Sequence, residues 1–194
     1  MMFSITEASS SSDPLNKIIL AFNVKGEDDS VKIISSNVIY KIIDDFKEWR
    51  EKTSKELLGK EIGTLPSLCK IKLMEGYVFR QSNPAVMGVD ILLGKLKVGT
   101  TLMDSEGREM TKAKSIQHEK KNINEIESGN QVAVSLPGVT IGRQLKENDI
   151  LYSSVSEAEF KRYKKLKKFL NSGEITILKE IAEIKRKENN MWGI

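Results

Sequence analysis

The sequence is poor in the residues that build disulfides, metal centres and histidine-based catalysis. Its 194 residues include one cysteine, Cys69, and one histidine, His118. A lone cysteine cannot form an internal disulfide, and the neighbours Leu68, Lys70 and Ile71 predict a structural place for Cys69 in a barrel strand rather than a nucleophile. Since no cluster of cysteines and histidines exists, neither a zinc site nor a histidine-based triad is expected.

Long apolar runs are missing as well. No segment approaches the roughly 18 apolar residues of a membrane span, and the first residues lack the pattern of a signal peptide. Hydrophobic residues make up 39% and charged residues 30% of the chain, which is ordinary for a globular protein of one or two small domains. We therefore expect a cytoplasmic protein without a membrane partner. A net charge of +4 permits a nucleic-acid partner without requiring one.

The sequence also lacks the loop that binds nucleotide phosphates. Such a loop places glycine five positions before a Gly-Lys pair and serine or threonine directly after it. Gly59-Lys60 is followed by Glu61, and Ser54 stands where the first glycine is needed. Asn16-Lys17 is not followed by the aspartate of a guanine-reading motif. The chain is therefore expected not to hydrolyse GTP.

Short apolar runs and one amphipathic helix are predicted before residue 66. Strands are indicated at Phe3–Glu7, at Lys17–Val24, whose apolar run is typical of a strand covered on both faces, and at Val31–Ile34. A helix from Asn37, capped by Ser35, Ser36 or Asn37, is predicted to end by Gly59 or at the latest by Gly63 and Pro66. Its apolar stripe ends at Trp49. The polar part of the helix that follows can be interpreted either as a lever between two packed bodies or as an inert spacer. The stripe comprises Ile39, Ile42, Ile43, Phe46 and Trp49.

Residues 67–154 show short apolar strands separated by turn signals, a spacing that predicts a closed barrel. The stretch Val86–Val98 is interpreted as two strands joined by a tight turn at Gly94. Asp104-Ser105-Glu106-Gly107 is predicted to be a hairpin turn. The expected strands are Leu68–Met74, Tyr77–Arg80, Met87–Leu93, Thr101–Met103, Thr111–His118, Gln131–Leu136 and Ile150–Ser153.

Two helices are predicted after the barrel. Ser156 and Glu159 form the pattern of a capping box, and Phe160, Tyr163, Leu166 and either Phe169 or Leu170 share one face. Asn171-Ser172-Gly173 ends this helix. The second helix carries the stripe Ile177, Leu178, Ile181 and Ile184, and both helices are expected to pack on the barrel.

The order of these elements resembles the carboxyl-terminal part of the eukaryotic translation initiation factor 5B family, relatives of bacterial initiation factor two. The resemblance is carried by the helix at Val38–Phe46, by Pro84–Val89, and by Gly142-Arg143 followed by Asp149-Ile150-Leu151. It implies an α+β fold: a partial α/β domain with a parallel sheet (1–36), a linker helix (37–60), a translation-factor β-barrel (66–155) and two carboxyl-terminal helices (156–194). In that family GTP and magnesium belong to a G domain, so this chain is expected to need no cofactor.

The resemblance also implies partners: the ribosome, initiator Met-tRNA and the acidic carboxyl-terminal tail of initiation factor 1A. The acceptor end of the tRNA is expected at two loops and at one arginine, comprising Gln117, His118, Glu119, Lys120, Lys121, Gly129, Asn130, Gln131 and Arg143. The tail is expected at lysines and apolar residues of the terminal helices, comprising Lys161, Tyr163, Lys164, Lys165, Lys168, Phe169, Trp192 and Ile194.

Several alternatives remain open at this level. The tRNA loop can also be interpreted as a plain barrel connection, and the lysine-rich helix as a solvated face, the more common interpretation of a charge run. The whole chain could instead be a barrel from another translation GTPase, a ribosome-associated structural module, or an enzyme whose residues converge only in the fold.

Overall fold

A two-stranded parallel sheet and a long helix form the first part of the protein. The computed structural model describes residues 10–24, 29 and 31–194, in two compact units that divide between Glu61 and Ile62. In the first unit, β1 (Ile18–Phe22) pairs in parallel with β2 (Lys32–Ser36). The parallel sheet implied by the resemblance is thus present, whereas the strand predicted at Phe3–Glu7 lies outside the described residues.

The apolar surfaces of this unit are only partly buried. The prediction that β1 is covered on both faces is wrong, since Leu20 and Phe22 are 47% and 53% exposed. Helix α1 (Ile39–Gly63) reaches the latest expected end, and the Ser36 hydroxyl accepts a hydrogen bond from the Val38 N–H just before it. Of its predicted stripe only Ile42 is fully buried, because the remaining apolar side chains meet few neighbours within the described residues.

Antiparallel strands build the second unit. The strands are β3 (Cys69–Arg80), β4 (Ala85–Lys97), β5 (Thr101–Met103), β6 (Glu109–Lys112), β7 (Ser115–His118), β8 (Lys121–Ile123), β9 (Glu125–Glu127), β10 (Gln131–Leu136) and β11 (Ile150–Ser153). Their spatial order is β6-β5-β11-β3-β4-β10-β7-β8, and β9 pairs with the far end of β4. The inward side chains are aliphatic and largely without solvent contact, among them Ile71, Val89, Ile116 and Leu151.

The sheet closes on itself through the short link between β6 and β7. The Ala113 N–H donates to the Thr100 carbonyl beside β5 at 2.9 Å, and the next N–H, that of Lys114, donates to the Ser135 carbonyl of β10 at 2.9 Å. One continuous stretch of chain therefore pairs with β5 at its start and with β10 at its end. This completes a circuit through β4, β3 and β11, so the predicted barrel is confirmed.

Several strands differ from the sequence prediction. The strand expected at Thr111–His118 is divided into β6 and β7, and β8 and β9 lie where no strand was predicted. The turn expected at Gly94 is wrong, because β4 runs without interruption through Gly94, where a φ of +74° kinks it and its partner changes to β9. The two strands expected within Leu68–Arg80 are one strand, β3, with a register shift between Leu73 and Val78 around Gly76. Glycine here allows a bulge instead of a turn.

Helices α2 (Glu157–Lys165) and α3 (Ser172–Arg186) follow, joined by a 3-10 turn at Lys167–Phe169. The predicted capping box of Ser156 and Glu159 is present, and Asn171 with Glu174 forms a second one. Leu170 is buried and Phe169 is 43% exposed, which settles the choice between them. The predicted stripe of α3 is buried, and its Glu180 carboxylate accepts from Lys70 Nζ of β3 at 2.7 Å.

Candidate functional site

A groove of about 440 Å³ lies where β3, β4, β7 and β10 run side by side, and we call it the barrel groove. Outward side chains form it, because successive residues of a strand alternate between core and surface. Val86 and Gly88 of β4 lie between the buried Ala85, Met87 and Val89. The groove is lined by Met74, Tyr77, Phe79, Val86, Gly88, Gln117, Glu119, Lys120, Gln131, Val132 and Ala133.

Two exposed aromatic side chains stand at this groove. Tyr77 is 52% and Phe79 is 64% exposed, although both belong to a strand of the core sheet. Gly88 permits the close approach of Tyr77, since a Cβ on Gly88 would lie 2.8 Å from the Tyr77 Cβ. The bulge at Gly76 and the absence of a side chain at Gly88 together bring the base of the Tyr77 side chain against the neighbouring strand.

A tight turn supplies the charged residues of the groove. Glu119 and Lys120 join β7 to β8 with positive φ angles of 49° and 65°, the conformation of a two-residue hairpin turn. His118 pairs with Lys121 across this hairpin, and Gln117 pairs with Ala133 of β10. The turn therefore presents one carboxylate and one ammonium group at the same rim.

Four of the predicted tRNA residues line the barrel groove: Gln117, Glu119, Lys120 and Gln131. His118 and Lys121 lie on the adjoining hairpin but do not line it, since neighbouring positions of a strand face opposite sides. Gly129 and Asn130 form the turn before β10, where the Gly129 N–H donates to the Ile91 carbonyl at 2.9 Å.

Arg143 is not brought to this groove. It lines a separate polar depression together with Asp104, Arg108 and Lys146. Sequence reasoning missed Tyr77 and Phe79. Their alternation with Val78 was a usable signal, but the bulge that decides which face turns outward was not visible in the sequence.

A second groove, of about 300 Å³, lies between α2 and α3 and is called the helix groove. Its walls are apolar and its rim carries more cationic than anionic groups. The Tyr163 hydroxyl donates to the Pro66 carbonyl, and burial strongly raises the pKa of this phenol, so that it stays neutral. The groove is lined by Phe160, Tyr163, Lys164, Lys167, Ile175, Leu178, Lys179, Ala182, Glu183 and Arg186.

The structure separates the residues predicted for the protein partner. Tyr163 and Lys164 line the helix groove, and Trp192 packs against its Phe160 with ring centroids 4.6 Å apart. Lys161 forms an exposed ion pair with Glu157 at 2.9 Å. Lys165, Lys168, Phe169 and Ile194 are exposed beside the groove without lining it. Phe160, Lys167, Lys179 and Arg186 were not predicted, because the groove arises only when the two helices pack.

Features that suggest other chemistry are weak in the described part of the chain. Cys69 is fully buried, and this burial raises the pKa of its thiol to about 12, which leaves it unreactive at neutral pH. Residues 10–24, 29 and 31–194 contain no group of three acidic, cysteine or histidine side chains placed to hold a metal ion. Within the same ranges, none of the helices combines the length and apolarity needed to cross a membrane.

Comparison with known proteins bears on the whole chain. The family model for elongation factor Tu domain 4 matches residues 67–152, which is the barrel. The probable translation initiation factor IF-2 of Methanococcus maripaludis strain C5 is 37% identical over 98% of this chain and 34% of its own length. That of Hyperthermus butylicus is 39% identical over 93% of this chain and 32% of its own.

One solved structure agrees with these relatives. GDP-bound aIF5B from Aeropyrum pernix superposes with a TM-score of 0.67 and 34% identity, covering 97% of this chain and 34% of that one. The chain thus spans about one third of the length of the relatives it matches. Along nearly its whole length it is similar to the carboxyl-terminal region of the archaeal IF-2 and aIF5B initiation factors, which confirms the resemblance drawn from its sequence.

Proposed function

We propose that this chain is a binding module of translation initiation and that its barrel groove holds the acceptor end of initiator Met-tRNA. The observation that carries the proposal is the pair of exposed aromatic rings, Tyr77 and Phe79, beside the Lys120 ammonium group in one groove. Single-stranded nucleic acid is bound by this combination, since bases stack on aromatic rings while a cation neutralises phosphate.

The volume of the barrel groove and the polarity of its lining support this ligand. A groove of about 440 Å³ falls within the range of about 300–1,000 Å³ typical of small-ligand sites. The side-chain amides of Gln117 and Gln131 lie on the same rim and can donate to and accept from a base edge or an ester carbonyl. Apolar side chains, Met74 and Val86 among them, line the rest of the groove and can contact an uncharged aminoacyl side chain.

The test is binding of the chain to aminoacylated and uncharged initiator tRNA at two salt concentrations. Phe79→Ala is expected to weaken binding of the charged form about tenfold, given roughly 1–3 kcal/mol per stacked base. Lys120→Ala is expected to lower the slope of log K against log salt by about one. Lys112→Ala, an exposed lysine on β6 that does not line the groove, is the matched control.

Equal binding of charged, uncharged and unrelated RNA, abolished by salt, would reduce the site to a basic surface. Unchanged affinity in Tyr77→Ala and Phe79→Ala would place the acceptor end elsewhere on the chain. In either case the barrel groove loses its proposed role.

The helix groove favours a second partner, the acidic tail of initiation factor 1A. Its floor is apolar at Phe160, Ile175, Leu178 and Ala182, and Lys164, Lys167, Lys179 and Arg186 surround it with Glu183 as the single acidic residue of the lining. An acidic segment with apolar anchors meets both needs, because its anchors fill the floor while its carboxylates face the cations. Titration with an acidic, isoleucine-containing peptide tests this, with Lys179→Glu expected to weaken binding and Lys187→Glu, outside the groove, to leave it unchanged.

The same proposal assigns the chain to the ribosome in the cytoplasm and gives it no enzymatic step of its own. GTP and magnesium would be bound by a G domain of the kind this family carries, not by these residues. A GTP turnover assay on this chain with ribosomes is expected to show no hydrolysis above the ribosome blank.

A further inference from the structure

We propose that residues 191–194 are an intramolecular competitor for the helix groove, here called the latch. The proposal rests on the acidic, apolar peptide proposed for that groove and concerns how its binding is regulated. Three residues that line the groove are already held by the latch in the free chain.

Two of these residues are cations. Lys164 Nζ donates to the Gly193 carbonyl at 3.1 Å, and Arg186 Nε donates to the Trp192 carbonyl at 3.0 Å. Both side chains line the helix groove, one from each helix. A carboxylate of an incoming peptide would be bound by these same two cations, so it competes with the latch carbonyls for how their N–H groups are oriented.

The third residue is Phe160, an aromatic residue of the groove lining. The Trp192 ring packs on Phe160 with centroids 4.6 Å apart and planes inclined by 46°. The latch therefore offers the groove residues oxygen acceptors beside an apolar side chain. This is the chemistry expected of the peptide, and it is supplied from within the same chain.

Closure of the latch depends on the residue at position 193. Gly193 has a φ of +70°, and a Cβ there would lie 2.6 Å from both Cδ1 and Cε1 of Phe160. Any side chain would be strained and would push the segment away from the ring. Gly138 has a similar φ of +78° with no atom within 4 Å of an added Cβ, so Gly138→Ala reproduces the backbone penalty without the clash.

Besides the contacts named above and a hydrogen bond from the buried Gly193 N–H to the Glu157 carboxylate, the latch buries little side-chain surface. Its flanking side chains are largely in solvent, with Met191 69% and Ile194 64% exposed. Segments with little buried apolar surface open at low free-energy cost. A peptide that needs the open state binds with an apparent affinity reduced by the open fraction, so opening the latch by mutation should tighten binding.

The experiment titrates the full chain with an acidic, isoleucine-containing peptide by calorimetry. If the latch is closed about nine-tenths of the time, Gly193→Ala and Trp192→Ala should both bind the peptide about tenfold more tightly than the unmodified chain. Gly138→Ala should bind as the unmodified chain does. In a Trp49→Phe background, peptide binding should shift the remaining tryptophan emission, that of Trp192, to longer wavelength as the ring leaves Phe160.

The outcomes separate the two proposals. Equal affinity in all four proteins overturns the latch while the proposed peptide site stands. Weaker binding in Trp192→Ala also overturns it, since Trp192 would then be part of the site. No binding in any protein removes the proposed partner and the latch with it.

Discussion

At the scale of single residues, Gly94 shows how one missing side chain decides the course of a strand. The Lys95 N–H donates to the Leu68 carbonyl at 2.8 Å, and a Cβ on Gly94 would lie 2.1 Å from that carbonyl oxygen and 2.8 Å from Ile177 Cδ1. The Leu68 backbone and the α3 side chain Ile177 thus both approach β4 at Gly94. Only glycine satisfies both the φ of +74° and this contact.

Gly94→Ala is therefore expected to lower the free energy of unfolding by about 3 kcal/mol or more, the upper end for a strained positive φ with a clash added. Gly138→Ala, with open space around it, should cost about 1 kcal/mol through backbone strain alone. Urea denaturation of both variants measures the difference. Equal losses would show that the contact with Leu68 relaxes freely.

Asp104 stabilises the β5–β6 hairpin through its charge. Partial burial acts to raise its pKa, but hydrogen bonds from the Arg108 side chain and from the Arg108 and Glu106 N–H groups outweigh this and hold the pKa below its usual value. A lowered pKa means that the stabilisation is present above the unfolded pKa of about 3.9 and is lost as pH falls through the folded value.

Asp104→Asn is thus expected to cost about 1 kcal/mol at pH 7. The difference from the unmodified chain should shrink as the pH drops below about 4. Denaturation midpoints measured from pH 7 to pH 2.5 test this. A pH-independent difference would assign the loss to geometry and not to charge.

At the scale of elements, the features that depend on residues close in sequence were predicted correctly. Ser156 and Glu159 predicted the start of α2, because both halves of a capping box lie within one turn. The strand boundaries predicted at Gly94 and around Gly76 were wrong, because the sequence does not distinguish a glycine that turns the chain from one that forms a bulge. Pairing with the neighbouring strands decides which of the two occurs. The barrel groove was predicted in part, through Gln117, Glu119, Lys120 and Gln131. Tyr77 and Phe79 reach it through the bulged pairing of β3 with β4, whose register shifts the sequence did not reveal.

The ion pair between Lys70 of β3 and Glu180 of α3 joins barrel to helix. Its side chains are 18% and 27% exposed, and Lys70 Nζ also lies 5.4 Å from the centre of the Tyr152 ring. A double-mutant cycle with Lys70→Met and Glu180→Gln should give a coupling on the order of 1 kcal/mol. The exposed pair Lys161–Glu157, at a similar 2.9 Å, should give only about 0.3–0.5 kcal/mol. Similar coupling in both cycles would mean that burial adds nothing.

At the scale of the whole molecule, the two units differ in how much apolar surface each of them buries internally. The barrel has a continuous core from Cys69 to Leu151, whereas α1 buries only Ile42 along its length. Amide exchange of the polar half of α1, residues 50–61, should be faster than that of β4 by about two orders of magnitude, because local opening exposes little apolar surface there. Hydrogen exchange read by mass spectrometry measures both. Equal protection would require a packed surface on that half of the helix.

The pairing of β3 with β11 also fixes when the protein can finish folding during its own synthesis. Ile71 lies opposite Leu151 and Lys70 opposite Tyr152, so the barrel joins its first strand to its last. At about 5–20 residues added per second, β3 must wait several seconds for that partner. Until β11 has left the exit tunnel, one side of β3 offers unpaired N–H and C=O groups to any neighbouring strand. The nascent barrel is therefore most open to mispairing, and most in need of a chaperone, just before its last strand emerges.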